Sequence, residues 1–543
     1  MKLSSRYRKR LVPVLIAGVA VASLALTACA GGDSGGASSP TATPVAGGTL
    51  KVQLSAAPNC LDPAVAFSAN ERAVVRPLVD SLVDMDPATG KIVPWLASSW
   101  DINADDTAYT FHLKPGITFS DGSPVDAAAV KSTFDYVTTT DKTTSSRGVG
   151  YLRGYTGTKI IDPQTAEIDF SAPNVQFLPG ASTSTLGILS TSSAAATADQ
   201  RCAGTFVGSG PFTLKDYTQG QSADLVKRAG YASASSLASH TGDAYLDGIA
   251  FQVVNVSNAR DGALESKQSD VAIDIATQDV PQLQAAGVTP LFGTQPGMPA
   301  SLMVNTTRPG LDDPAIRNAM EIGFDRASDV TAVLGTYYKP ATSILTSNLP
   351  QYKDESSLIT FDADKAKSDL DAAGWVVGAD GIRAKDGTAA NFAVTFTSTF
   401  GAYYTSLLQL FQQQMKDIGI GITLKDGTQA AQFAVSTSHD YDLDITTLTD
   451  VDPDIIRSSA ALILDKPTLD QAGITALFTT SQQQANPADR TATYGQIQDS
   501  MIQNGYIIPF WEGGQFVGYG SNVMGLKMDF QSWLDFYDTS LVQ

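Results

Sequence analysis

Three histidines and three cysteines in 543 residues leave little material for a metal cluster or a thiol-based catalytic centre. His112, His240 and His439 lie far apart in the chain. His112 alternates with Phe111 and Leu113 and reads as a strand-surface residue, and the other two sit in polar, loop-like segments. No H-E-x-x-H pair, no G-x-x-x-x-G-K-[ST] loop and no lysine with a serine three residues before it is present. The signatures of zinc hydrolases, nucleotide hydrolases and penicillin-interacting enzymes are therefore missing. Basic residues are also scarce, 36 Lys and Arg against 55 Asp and Glu for a net charge of −19. That balance disfavours nucleic acid or an anionic membrane surface as a partner. No solenoid-type repeat is visible.

What basic charge there is concentrates at the start, where Lys2, Arg6, Arg8, Lys9 and Arg10 precede the apolar run LVPVLIAGVAVASLAL. The run is shorter than the ~18 apolar residues that span a bilayer and is broken by Pro13 and Gly18. With small residues after it, the plan is that of a secretory signal peptide over 1–28 rather than a membrane anchor. Leu26-Thr27-Ala28-Cys29 resembles the lipobox of bacterial lipoproteins, which makes Cys29 the expected lipidation point. Residues 29–47 are Gly, Ala, Ser, Thr and Pro with almost no bulky side chain, a flexible tether that cannot bury enough surface to order itself. Cys60 and Cys202 then remain as an even pair in an exported chain, read as a disulfide, with two unpaired buried cysteines as the alternative.

Over the whole sequence, 43% hydrophobic and 8% aromatic residues describe a folded chain, and the length beyond the tether is enough for more than one lobe. GGTLKVQL alternates and predicts a first strand with Leu50, Val52 and Leu54 on one face. TAYTFHLKPGITFSDG alternates on both sides of Pro115-Gly116 and reads as a hairpin. Ser123 and Pro124 read as the cap and first position of a helix through AAAVKSTFDYV. Further helices are expected after the caps Asp313 and Asp362. Strand, helix and strand over Phe392–Phe396, TSLLQLFQQQMKDIG and IGITL predict a parallel β-α-β unit.

The order of these blocks resembles the family 5 extracytoplasmic solute-binding proteins of ABC importers, which includes oligopeptide, dipeptide and nickel-binding members. The resemblance is carried by GGTLKV, LDP at 61–63, PWLASSW, YTFHLKPGITFSDGSPVDAAAV, VGSGPFTL, YLDGIAFQVV, LMVNTTRPGLDDPAIRNAMEIGFDR, FDADKAKSDLDAAGW and YIIPFWEG. It covers nearly all of the chain after the tether. It implies an α/β fold of the large, type II two-lobed kind, with mixed sheets, flanking helices, an extra subdomain and hinge crossings. Lobe I would comprise 48–297, with a subdomain over about 70–200, and the returning segment 511–543. Lobe II would comprise 298–510.

The resemblance also implies a non-enzymatic role: a monomeric receptor on the outer face of the cytoplasmic membrane, handing a solute to a permease and its ATPase. No cofactor and no metal ligand set are implied. Short peptides are the leading solute class, and a metal chelate, glycan or other polar metabolite is the alternative. An exported hydrolase would need a nucleophile that no motif supplies. Cleft positions carried over from relatives are Phe67, Met298, Ser301, Ser398, Phe400, Asp450 and Trp511. Asp450 lies where peptide-binding members hold the ligand's amine, but TDVDPD has one residue fewer before Asp452-Pro453, and Thr449 replaces the usual small residue. A turn-forming Asp-x-Asp-Pro is the competing reading of the same residues.

Overall fold

The first strand, Thr49–Leu54, buries Leu50, Val52 and Leu54 as its alternation predicts. Gln53 is buried as well, because the strand is central and pairs in parallel with both Gly248–Val253 and Val271–Ile273. In this computed structural model the described residues are 44–66, 68–140, 146–398, 401–457 and 466–542. The signal segment, Cys29 and most of the tether lie outside them, as do Phe67 and Phe400.

Pro44–Gln543 form one compact unit built on two mixed sheets. The seven-stranded sheet runs Val288–Thr294, Gly514–Gly520, Val271–Ile273, Thr49–Leu54, Gly248–Val253, Ser222–Lys227, Phe212–Thr218. The five-stranded sheet runs Gly421–Asp426, Asn391–Phe396, Leu443–Thr449, Gly297–Val304, Ile507–Trp511. The chain passes from the first sheet to the second through Gln295 and Pro296 and returns through Glu512 and Gly513. The two crossings lie side by side, the Gln295 amide donating to the Gly513 carbonyl at 3.0 Å. Gly297 opens the second sheet at φ +128°, where a Cβ would stand 2.2 Å from the Leu448 carbonyl oxygen. Only glycine fits that close approach.

Within the second sheet, Asn391–Phe396, the helix Ala402–Asp417 and Gly421–Asp426 form the expected parallel β-α-β unit. Leu407, Leu408, Phe411 and Met415 are buried along its helix, as the 3.6-residue spacing requires. Asp313 and Asp362 cap their helices, each side chain accepting a backbone amide.

Two local expectations are corrected. YTFHL and ITF do not pair: Ala108–Leu113 lies between Ala97–Ile102 and Thr165–Phe170 in a four-stranded antiparallel sheet completed by Tyr155–Asp162. Both edges of the strand are taken by longer-range partners. Ile117 and Phe119 are buried in a tight turn instead, closed by Phe119 N–H to Ser123 O and Val125 N–H to Ile117 O. The following helix, Ala127–Thr139, is capped by Asp126 rather than Ser123. The Ser123 hydroxyl is engaged by Asp121 at 2.6 Å, and Pro124 bridges to Thr118, so the helix starts only where the backbone is released. This helix and the small sheet close over Phe177, whose ring meets Tyr109, Phe111 and Phe134 edge-on at 5.0, 6.0 and 5.7 Å.

The LDP stretch is scaffold. Asp62, fully buried, accepts from Arg201 Nε at 2.6 Å, the Tyr136 hydroxyl at 3.2 Å and the Ala64 amide at 3.0 Å. Arg201 stacks on Tyr136, 4.2 Å from the ring centre, so the buried pair is satisfied on every side. Next to it the sulfurs of Cys60 and Cys202 lie 2.02 Å apart, and Leu61 N–H bonds Cys202 O at 3.0 Å. The bridge closes a sequence separation of 142 residues. In the chain-entropy limit such a loop contributes about 5 kcal/mol to stability. A Cys60→Ser/Cys202→Ser variant is expected to melt several degrees below the parent in scanning calorimetry. A reductant should lower the melting point of the parent and leave the variant unchanged.

Candidate functional site between the lobes

The strand Leu443–Thr449 ends at the interface, and its next residue, Asp450, is anchored by its own amide on the Pro296 carbonyl at 2.9 Å. The side chain turns toward the opposite lobe, where the Tyr151 hydroxyl donates to Asp450 Oδ1 at 2.9 Å. Tyr151 closes the short helix Ser146–Tyr151, which also carries Arg147. The turn reading of TDVDPD is realised. Asp450 Oδ1 accepts the Asp452 amide at 3.1 Å, and Asp452 Oδ1 accepts the Asp454 amide at 2.9 Å, so the loop is a pair of successive Asx turns. The three carboxylates nonetheless face different partners. Asp452 is held in bidentate fashion by Arg490 at 2.7 and 2.8 Å. Asp454 pairs with Arg457 at 2.7 Å and reaches Arg153 of the other lobe at 3.5 Å.

Around Asp450 the opposite lobe gathers two arginines. Arg72, on the helix Ala69–Val75, is 1% exposed. It donates to Thr185 Oγ1 at 3.2 Å and Gln531 Oε1 at 3.5 Å, with its guanidinium 5.6 Å from the centre of the Trp533 ring. Burial, reinforced by the charge of Arg147, pulls its pKa down to about 10. Burial pushes Asp450 up to about 6, against the opposing pull of Arg147 and the Tyr151 hydrogen bond. Three donors of this cluster, Arg147 Nη1, Gln531 Nε2 and Trp533 Nε1, are buried and meet no acceptor among the described residues. An unmet buried donor costs about 1–3 kcal/mol, so the cluster is organised for oxygen atoms that those residues do not supply.

Of the sequence-predicted cleft residues, the structure brings Asp450 into this cluster. Met298 is buried in the core that joins the lobes, its carbonyl accepting from Thr447 Oγ1 at 3.3 Å. Ser301 sits at a β-bulge, fully buried, with its hydroxyl on the Pro299 carbonyl at 2.9 Å. Trp511 packs in the second core, edge-on to Tyr404 at 4.9 Å. Ser398 follows the parallel strand Asn391–Phe396 and binds Asp426 through its amide at 2.9 Å and its hydroxyl at 2.6 Å. Arg72, Arg147, Tyr151, Gln531 and Trp533 were not singled out by sequence. An arginine leading into an apolar run in ANERAVV and the dense aromatic and acidic run DFQSWLDFYD are the signals that would have found three of them. Among the described residues no group of three or more His, Cys, Asp or Glu side chains could hold a metal ion.

Two lobes on separate sheets, paired crossings and a buried polar cluster between them define a binding protein that closes on its ligand. Residues 91–462 match the model of bacterial extracellular solute-binding proteins, family 5, and the chain belongs to that family. The glutathione-binding protein GsiB of Escherichia coli K12 is 26% identical over 375 residues, 68% of each chain. Two solved structures share the fold. NikA from Brucella suis in complex with Fe(III)-EDTA has a TM-score of 0.80 at 22% identity, covering 91% of this chain and 100% of NikA. The oligopeptide-binding protein AppA from Bacillus subtilis, in complex with a nonapeptide, has a TM-score of 0.74 at 18% identity, covering 92% and 100%. The chain is thus a substrate-binding protein of the ABC importer class, not an enzyme.

The raised pKa of Asp450 fixes the sign of a pH effect. Below the unfolded value, 3.8, the carboxyl is protonated in both states. As pH rises through about 6 the folded protein must ionise it in a buried site, which removes stability on the order of 2 kcal/mol. Asp450→Asn keeps an acceptor for Tyr151 without that cost. The variant should therefore melt close to wild type at pH 4 and about 2–4 °C above it at pH 7, read by differential scanning fluorimetry.

Proposed function

We propose that this protein, tethered by lipid at Cys29, captures short peptides or peptide-like solutes through their carboxylate and delivers them to an ABC permease. The single observation that carries the reading is the set of acceptor-less donors, Arg147 Nη1, Gln531 Nε2 and Trp533 Nε1, gathered round Arg72. A carboxylate supplies several acceptor lone pairs and a full negative charge. It matches a guanidinium better than any neutral oxygen does. The amine clamp expected at Asp450 is supported less well, since Tyr151 and the Asp452 amide already occupy Oδ1 and Arg147 lies close by. Binding by the acid end rather than the amine end is the natural consequence. The 26% identical GsiB is named as binding glutathione, a small peptide rich in carboxylates, which agrees with this size and chemistry.

A second reading, a carboxylate-rich metal chelate, is favoured by the same donors and by the Fe(III)-EDTA complex of the similarly folded NikA. Native mass spectrometry of protein exported from its own signal separates the two. A heterogeneous series of retained masses fitting short peptides supports the peptide reading, and one fixed mass containing a metal isotope pattern replaces it with the chelate. In either case Arg147→Gln should weaken the retained carboxylate ligand by about 10- to 100-fold in isothermal titration, the loss of one charge-assisted hydrogen-bonded pair. Unchanged affinity would remove the carboxylate anchor from the proposal.

A further inference from the structure

Beside the arginine cluster, and sharing Gln531 with it, lies a cavity of about 60 Å³ on the side of the seven-stranded sheet, capped by Val451 from the opposite lobe. That is room on the order of four water molecules, the size of a side-chain head group rather than a whole solute. Its wall combines three carboxylates, Asp84, Asp529 and Asp535, with the aromatic rings of Trp95, Tyr231 and Phe536. Each carboxylate is half-buried. Asp529 is held through one oxygen by the Trp533 amide at 2.9 Å and Asp535 by the Tyr537 amide at 3.0 Å. Asp84 accepts from the Met85 amide at 2.8 Å and from the Ser235 hydroxyl.

The one cation in the wall, Arg76, pulls on all three carboxylates through its charge but forms no ion pair with them among the described residues. Arg76, 7% exposed, spends Nη1 on Ser81 Oγ at 3.0 Å and Nη2 on the Val79 carbonyl at 2.9 Å. Its guanidinium lies 4.3 Å from the Trp95 ring centre, and its Nε has no acceptor. Lys527, whose charge also pulls on Asp535, forms its ion pair with Asp538. Among the described residues none of the three carboxylates is ion-paired. Burial holds all three above the ordinary carboxylate range against the pull of Arg76, with smaller pushes from Asp535 on Asp84, Asp84 on Asp529 and Asp538 on Asp535, and Asp529 stands at about 7. Arg76 and Gln531 both line this cavity, and each carries a buried donor without a partner, Arg76 Nε and the Gln531 Nε2 already counted in the arginine cluster. They require acceptor oxygens next to whatever the carboxylates hold.

We infer that this cavity is a cation subsite, taking the ammonium or guanidinium head of the same ligand whose carboxylate meets Arg147, with a carbonyl of that ligand accepting from Gln531. The inference rests on the carboxylate-anchored reading and narrows the substrate class to zwitterionic peptides or amino-acid derivatives with a basic group. An aromatic wall and unpaired carboxylates attract an organic cation from two sides, through the ring quadrupole and through charge. Neighbouring the arginine cluster, the cavity places the positive end of the ligand beside its negative end, as Gln531 touches both.

The test uses the exported protein and small probes that carry only one of the two ends. In saturation-transfer NMR, n-propylammonium should receive magnetisation from the protein and neutral 1-propanol should not. The signal should fall about tenfold in Asp529→Asn and in Asp535→Asn, each of which keeps its backbone hydrogen bond. Equal transfer to the two probes, or ammonium binding undiminished in both variants while circular dichroism shows them folded, overturns the subsite. Should either variant fail to fold, the other decides. Loss of the carboxylate anchor is read separately, from the Arg147→Gln titration described above, in which no ammonium probe takes part. The cation subsite and the carboxylate anchor can therefore fail independently.

Discussion

The two crossings between the sheets are the constraint on which the rest of the molecule depends. Because Gln295–Pro296 and Glu512–Gly513 run side by side and are hydrogen-bonded to one another, the lobes are joined at one edge only. Tyr151 to Asp450 and Arg153 to Asp454 tie the lobes across the interface through side chains. Side-chain ties can be exchanged for water without breaking a strand. The main-chain link cannot, and Gly297, packed against the Leu448 carbonyl, fixes where the second sheet begins. The geometry separates a rigid part, each sheet with its helices, from a part whose energy depends on what lies between.

What lies between is costly to bury. Arg72 is nearly inaccessible, Asp450 is pushed up by desolvation, and three donors meet no acceptor among the described residues. Each of these raises the free energy of the closed arrangement relative to one in which water reaches the groups. A ligand that brings a carboxylate to Arg147 removes part of that cost only when the lobes are together. Its differential affinity for the closed state is then what shifts the equilibrium. Poor self-satisfaction of the interface is in this sense functional: lobes that satisfied every group would close without cargo, and a permease could not distinguish loaded from empty.

The sequence was most informative where local rules and tertiary partners agree. Asp313-Pro314 and Asp362 were legible as helix starts because cap geometry is set within four residues. The β-α-β unit at 391–426 was legible because its apolar spacing matches one helix face and two buried strands. The hairpin at Pro115-Gly116 failed because alternation shows that a strand has a buried face and says nothing of which strand pairs with it; Ala97–Ile102 and Thr165–Phe170 took both edges. The site was less legible than the fold for the same reason. Asp450 was reached through a motif, whereas Arg72, Arg147, Gln531 and Trp533 come from three distant segments and meet only through topology.

The loop after Asp450 ties these observations together. In TDVDPD two Asx turns follow each other directly, and the first draws Asp450 Oδ1 onto the Asp452 amide. That same oxygen takes the Tyr151 hydroxyl, so one oxygen of the carboxylate that would face an incoming amine is engaged twice by the protein. An amine-bearing ligand then needs its counter-charge elsewhere. The half-buried carboxylates of Asp84, Asp529 and Asp535, which line a cavity with Gln531 and form no ion pair among the described residues, are the negative charge that the inferred subsite would use. Reversing the ends in this way would let the chain keep the family's architecture while reading a zwitterion from the opposite direction.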